Sequence, residues 1–140
     1  MTLTTAIKTT LTPLVTAGKV KAIYDHASPE NLGYPKIEIY PVGVLSERLT
    51  NRERIERHSF EVRISQETAR ENVGAEEAQE ITQKLVNDVI DILDNEINAV
   101  SPLQGECDWV EPIESVENRQ TEEVPMISHV ITLVAVTTRT

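Results

Sequence analysis

Two alternating runs of this chain are joined by a segment far longer than a turn. Residues 35–40 and 58–64 alternate apolar and polar side chains, which is typical of strands with one buried face. A hairpin needs about two to five connecting residues. The longer segment between these runs carries four arginines and several aliphatic residues, so it is too apolar for stable disorder. We predict that residues 43–57 form an extended arm that docks on another protein.

The arm offers apolar and basic side chains for contact with a partner. The candidate interface residues are Val44, Leu45, Arg48, Leu49, Arg52, Arg54 and Arg57. Glutamates alternate with these arginines, so an alternative is that the arm only forms surface ion pairs, each worth less than about 1 kcal/mol. We favour contact between copies because arginine is common at interfaces.

The charge of the chain is unevenly distributed. Residues 1–70 carry 10 basic and 8 acidic residues, whereas residues 71–123 carry 2 and 15, a net charge of −13. Such a surface repels phosphate backbones and suits a wall past which DNA slides without binding. The ordinary alternative is a solvated face that maintains solubility. In a ring of copies, each arm would lie on the acidic face of the next copy. The acidic candidates for that neighbour-facing or lumen-facing wall are Glu76, Glu77, Glu80, Asp88 and Asp91.

Hydrophobic periodicity predicts the remaining elements. They are, in chain order, a helix over 2–14 that Pro13 ends or kinks, a strand over 20–25, a long helix over 75–98, a strand over 107–116 interrupted by Pro112, a charged turn over 117–123 and a long central strand over 124–138. This order predicts one α+β domain over 1–140. Its antiparallel or mixed sheet has about five strands, two helices on one face and the long arm between strands two and three.

The sequence contains no recognisable catalytic or metal-binding pattern. A glycine-rich phosphate loop and zinc-ligand spacings are absent, and His26, His58 and His129 fall on different elements. His58 and His129 are expected to be structural residues in strands, His58 with a backbone partner. Cys107 stands beside Asp108, whose charge raises a thiol pKa and disfavours a nucleophile. We predict no enzyme activity, no cofactor and no metal.

Composition also indicates the cellular compartment in which the protein is expected to function. A lone cysteine cannot form an intramolecular disulfide, no secretory signal is visible, and the longest apolar run, 130–136, is too short to cross a bilayer. Aromatic residues make up only 4% of the chain, which disfavours a stacking platform for single-stranded nucleic acid. These features predict a soluble protein in a reducing compartment, without a membrane partner.

The layout of the chain resembles a known group. The residues that carry the likeness are the helix with Ile7, Leu11 and Leu14, the segments 21–25 and 33–39, the arm, the segment 56–64, the long acidic helix and the two closing strands. In these features the chain is similar, over nearly its whole length, to the small tail-terminator (tail-completion) proteins of long-tailed bacteriophages.

The resemblance implies a structural protein of the virion, assembled in the host cytoplasm. It implies a hexameric ring that caps the tail tube, stops tube polymerisation and provides the head–tail joining surface through which DNA passes. The implied partners are other copies of the chain, the tail tube protein and a head-completion or connector protein; the family has no catalytic residues. One alternative is a head-completion or connector protein of the phage neck. Another is a small cytoplasmic ligand-binding α+β module whose arm folds over an apolar pocket.

Overall fold

In the residues that the structure describes, six strands form one mixed sheet, and two helices pack on one of its faces. The computed structural model describes residues 2–25, 35–67, 75–113, 116–121 and 126–139. The elements are α1 (Leu3–Thr16), β1 (Ala22–Tyr24), β2 (Lys36–Arg48), β3 (Arg54–Glu67), α2 (Ala75–Ile97), a 3-10 turn (Pro102–Gly105), β4 (Trp109–Val110), β5 (Val116–Thr121) and β6 (Met126–Arg139).

The strand order is β1-β2-β3-β6, and both β4 and β5 pair with the outer side of β6. Only β1 and β2 are parallel; the other described pairs are antiparallel. The predicted α+β class is confirmed, and β6 is central, as its apolar run indicated.

The core lies between the sheet and the two helices. Alternate residues of the central strands point into it, and α1 and α2 each contribute one apolar stripe. Its fully buried large side chains include Ile7, Leu11, Ile37, Ile39, Val62, Ile64, Val89, Leu93, Ile131 and Leu133. This packing holds the base of β2 and β3 rigidly, and the arm continues from that base.

The arm is a β-hairpin continuous with the sheet rather than a separate connector. Strand β2 runs on to Arg48 and β3 begins at Arg54, which leaves a five-residue turn where the alternating pattern predicted a much longer connection. Strand β6 pairs with β3 as far as the Arg54–Arg139 position, so it forms a third strand of the arm. The register shifts between Pro41 and Gly43, where a bulge marks the base of the arm.

Helix α1 continues through Pro13 to Thr16, two residues beyond the predicted end at residue 14. Thr2 caps its start by accepting a hydrogen bond from the Thr5 amide at 3.2 Å, and the helix continues to Thr16. Pro13 is exposed, so its ring is accommodated on the solvent side while Leu11 and Leu14 stay buried. Packing of this apolar stripe outweighs the hydrogen bond that proline cannot make.

The charged turn or loop predicted over 117–123 is wrong for residues 117–121, which belong to a strand. That strand is β5, which pairs with β6 from Val116–Ile131 to Thr121–Met126. The polar composition of this segment has low strand propensity, but a neighbouring strand edge supplies backbone partners, and such context overrides intrinsic preference. The interruption at Pro112 is confirmed, because it falls between β4 and β5.

Candidate interaction surface

The arm, residues 43–57, is exposed over most of its length. Every residue from Pro41 to Arg54 is exposed. The turn at its tip is ordered by Glu53, whose carbonyl accepts from the Leu49 and Thr50 amides at 2.9 and 3.3 Å. The Thr50 hydroxyl accepts from the Arg52 and Glu53 amides at 3.2 and 3.0 Å. The tip is therefore a defined structure and not a loose loop.

Strand register assigns the predicted interface residues to two different faces. Val44 lies opposite His58, two positions from the core residue Phe60, so it belongs to the face that carries the helices. Leu45 lies opposite Arg57 and belongs to the other face. Leu49 is 53% exposed at the tip. The arm therefore presents apolar side chains on both faces.

A row of three arginines crosses the tip of the arm. In the strand register, Arg48 lies directly opposite Arg54, and Arg54 lies directly opposite Arg139. The three side chains therefore lie on the helix-side face of adjacent strands. Like charges directly opposite one another destabilise a sheet. Arg139 is compensated by Glu56, with 3.2 Å between its Nε and the carboxylate.

The remaining tip arginines lack such compensation. In the described part of the chain, Arg48, Arg52 and Arg54 form no ion pair. Together with Arg139 and turn residues they line a small open depression of about 180 Å³. Guanidinium groups that have no ion-pair partner within the described subunit favour an anionic partner that can make bidentate contacts.

Arg57 differs from the other predicted interface arginines. Its guanidinium lies 3.1 Å from Glu47 and 2.9 Å from Glu111, and hydrogen bonds to Glu111 and then Glu47 raise its pKa. Arg57 therefore forms its ion pairs within the subunit. These ion pairs link β3 to β2 and to the segment after β4. Its side chain remains about one third exposed.

Two residues of this surface were not predicted. Trp109 is 37% exposed on the face opposite the helices, in the same cross-strand row as Leu45. Arg139 joins the arginine row only through the register of β6. A lone tryptophan in a short segment and a lone arginine near the end of the sequence give no local cluster, so only the sheet reveals them.

The acidic candidates lie on α2, whereas the arm arginines lie on β2, on β3 and in the turn between them. Glu80 and Asp91 are exposed, whereas the carboxylate of Asp88 lies 3.0 Å from the ammonium of Lys19. Glu76 and Glu77 fall in the first turn of α2, where the side chains are outside the described part. Among described residues, no arm arginine pairs with a carboxylate of α2. The two predicted surfaces are thus separate within one subunit.

A second concave feature lies beside α2. Lys19, Ile81, Lys84, Leu85, Asn87 and Asp88 line an open groove of about 520 Å³. No arm residue lines this groove, so the described structure does not place the arm as a cover over it. Within the described ranges, no group of three or more potential metal ligands occurs, and no described helix has the length and hydropathy of a membrane span.

Cys107 and His58, two titratable residues of the described structure, have structural surroundings within the fold. Cys107 is buried, and burial followed by the charges of Asp108 and Glu96 raises its pKa to about 11. His58 is half-buried, and its partners are the side chains of Thr137 at 3.0 Å and Glu56 at 3.5 Å rather than the expected backbone group. His26 lies outside the described residues.

Comparison with known proteins gives a likeness of fold. No family model matches the chain, and no curated protein matches it. A solved structure similar to it is a chain from the virion of a native gene transfer agent particle, with 15% sequence identity and a TM-score of 0.64. The match covers 94% of this chain and 91% of that chain, so the likeness includes both the helical layer and the sheet. At this identity the comparison shows a shared fold.

Proposed function

We propose that this protein is a structural virion protein that forms a ring and terminates a phage-type tail. The observation that carries the proposal is the arm, which presents three uncompensated arginines and exposed aliphatic residues on a rigid hairpin. The shared fold with a chain of a virion particle supports the setting. The ring, proposed to be hexameric, caps the tail tube and offers the surface to which the head joins.

Assembly follows from complementary charge on separate surfaces of each subunit. The arm arginines of one copy contact the exposed carboxylates of α2 in the next copy, including Glu80 and Asp91. Because this contact joins two different surfaces, repeated copies close into a ring when the rotation between them permits it. The acidic faces that remain exposed would line the path of DNA and repel its phosphates.

Charge reversal tests the arm. The double variant Arg52→Glu, Arg54→Glu should remain folded, because both side chains are exposed and unpaired, but it should lose ring formation at micromolar concentration. Solution mass by light scattering and negative-stain images measure assembly. A matched control is Lys8→Glu, Lys21→Glu, which changes the net charge equally and leaves the arm intact. Adding Asp91→Arg to the arm variant should partly restore rings.

The tail-terminator role has its own test. Tail tube protein polymerised with this protein should give tubes of limited length, with rings at their ends. Normal rings that bind a head connector but leave tube length unchanged would favour the head-completion alternative. A strictly monomeric protein at every concentration, with tail tube protein also present, would contradict the ring itself.

A further inference from the structure

Within the described ranges, two edges of the sheet lack a neighbouring strand at the same position along the strand direction. Strand β1 pairs only with Lys36–Glu38 of β2, so the arm residues Gly43–Arg48 have a strand on one side only among the described residues. On the opposite side of the sheet, β4 has β6 as its only neighbour within the part of the chain that the structure describes. Exposed strand edges are templates for another strand. Pro41 and the bulge protect the base of the β2 edge, whereas Gly43–Arg48 contains neither proline nor lysine.

Exposed apolar side chains stand at both ends of one cross-strand row. Leu45 lies opposite Arg57, Arg57 opposite Val136, and Val136 opposite Trp109. Leu45 is 67% exposed and Trp109 is 37% exposed, while Val136 between them is fully buried. The row therefore ends in an apolar side chain at each edge, on the sheet face opposite the helices.

We propose that these edges pair with each other between copies, so that the β2 edge of one subunit adds to β4 of the next. The pairing places Leu45 against Trp109 of the adjoining copy. Through β3 and β6, β2 and β4 already run antiparallel within one sheet. A copy related by rotation in a ring thus presents β4 antiparallel to β2 without being turned over. Ring closure then covers both edges.

This inference rests on the proposed ring and specifies its contact. Helix α2 packs on the same side of the sheet as the arginine row and contacts β4. Edge pairing therefore brings Arg48 and Arg54 to the side of the next subunit on which its exposed Asp91 and Asp94 lie. The edge of β4 is short, so most of the apolar contribution comes from burying Trp109 and Leu45.

Disulfide cross-linking tests this register. Directly opposite side chains of an antiparallel pair have Cβ atoms about 4.5–5.5 Å apart, close enough for two cysteines to oxidise with a small adjustment. The variant Leu45→Cys, Trp109→Cys should give a ladder of covalent multimers up to the ring size on a non-reducing gel. The native Cys107 stays in place, because its pKa of about 11 leaves little thiolate to react.

The matched control is Val44→Cys, Trp109→Cys. Val44 is 59% exposed and adjacent to Leu45 in the sequence, but it stands on the opposite face, so this pair should give only background cross-linking. Equal ladders from both pairs, or no Leu45 ladder in preparations that show rings, would overturn edge pairing and leave the ring standing. Absence of ladders together with absence of rings from the unmodified protein would overturn both proposals, whereas a ladder without rings supports edge pairing but not closure.

Hydrogen exchange of the unmodified protein provides a second measurement, because the cysteine variants remove the side chains whose contact is proposed. On assembly, amide exchange should slow by about tenfold or more at the N–H groups near Leu45 that point outward from the β2 edge, because these groups gain partners on the two-residue β4. Assembled rings in which these amides exchange as fast as in the monomer would contradict the pairing.

Discussion

At the scale of single residues, His129 is a titratable side chain buried without a partner for one of its ring nitrogens in the described structure. It is 5% exposed, and its Nε2 atom has no hydrogen-bond partner in the described structure. Burial lowers its pKa from 6.5, because the protonated ring would be poorly solvated there. The neutral ring is therefore the form that the fold accepts.

This burial predicts a loss of stability in mild acid. The unfolded chain binds a proton at His129 near pH 6.5, whereas the folded chain does so only at lower pH, so the unfolding free energy falls as pH drops below 6.5. The unfolding free energy stops falling for this reason once the pH is below the pKa of His129 in the folded chain. Urea unfolding at several pH values between 4.5 and 8 measures it, with His129→Leu as the reference, since that variant lacks this titration. Parallel pH profiles for the two proteins would contradict the assignment.

At the scale of elements, α1 is followed by a glycine in the left-handed backbone conformation, which most residues with a Cβ adopt only at a cost in free energy. Gly18 has φ +75°, its amide donates to the Val15 carbonyl at 3.0 Å, and the Lys19 amide donates to Leu14 at 3.0 Å. This is the Schellman arrangement, in which a left-handed residue satisfies the last carbonyls of a helix. The position thus fixes where the chain turns from α1 toward β1.

Replacement of Gly18 by alanine should destabilise the fold by about 1 kcal/mol, the cost of a left-handed conformation for a residue with Cβ. Gly43→Ala is the matched control, because an added Cβ meets nothing within 4 Å at either position and only Gly18 has positive φ. The control should be neutral or slightly stabilising. Thermal unfolding of the monomer measures both, and equal effects at the two glycines would contradict the argument from backbone conformation.

The elements differ in how far the sequence predicts them, and the difference has a physical cause. Ile37 and Ile39 alternate with polar residues because one face of their strand meets the core, so local pattern predicts that strand. On the β2 side of the arm, residues 43–48, both faces are exposed, so alternation is lost and the strand looks like a connector. Strand β5 forms only because β6 supplies an edge.

The candidate surface follows the same rule. The basic and aliphatic character of the arm could be predicted from local composition. In contrast, the ion pair between Arg57 and Glu111 joins residues 54 positions apart, and the row that links Leu45 to Trp109 depends on the register of four strands. Such contacts are absent from any local pattern in the sequence.

At the scale of the whole molecule, two electrostatic effects of opposite sign act on assembly. The net charge of −10 makes copies repel one another, while the arm arginines attract the carboxylates of α2. Net repulsion acts between distant charges and is already largely screened at physiological salt, where the Debye length is about 8 Å. Contacts at hydrogen-bonding distance are screened less, so they should govern the salt dependence above that concentration.

We therefore expect ring formation to weaken as sodium chloride rises from about 0.15 to 1 M, where the Debye length falls to about 3 Å. Light scattering measures the oligomer mass, and circular dichroism checks that the fold persists, since the aliphatic core does not depend on ion pairs. In the variant Arg52→Glu, Arg54→Glu, the oligomer mass should fall little further as the salt concentration rises. Any residual assembly at 1 M salt should be lost in Leu45→Ser, because apolar contact at the sheet edge strengthens rather than weakens in salt. An oligomer mass that rises throughout the titration would instead show that apolar contact alone holds the subunits together and that the arginine row has another partner.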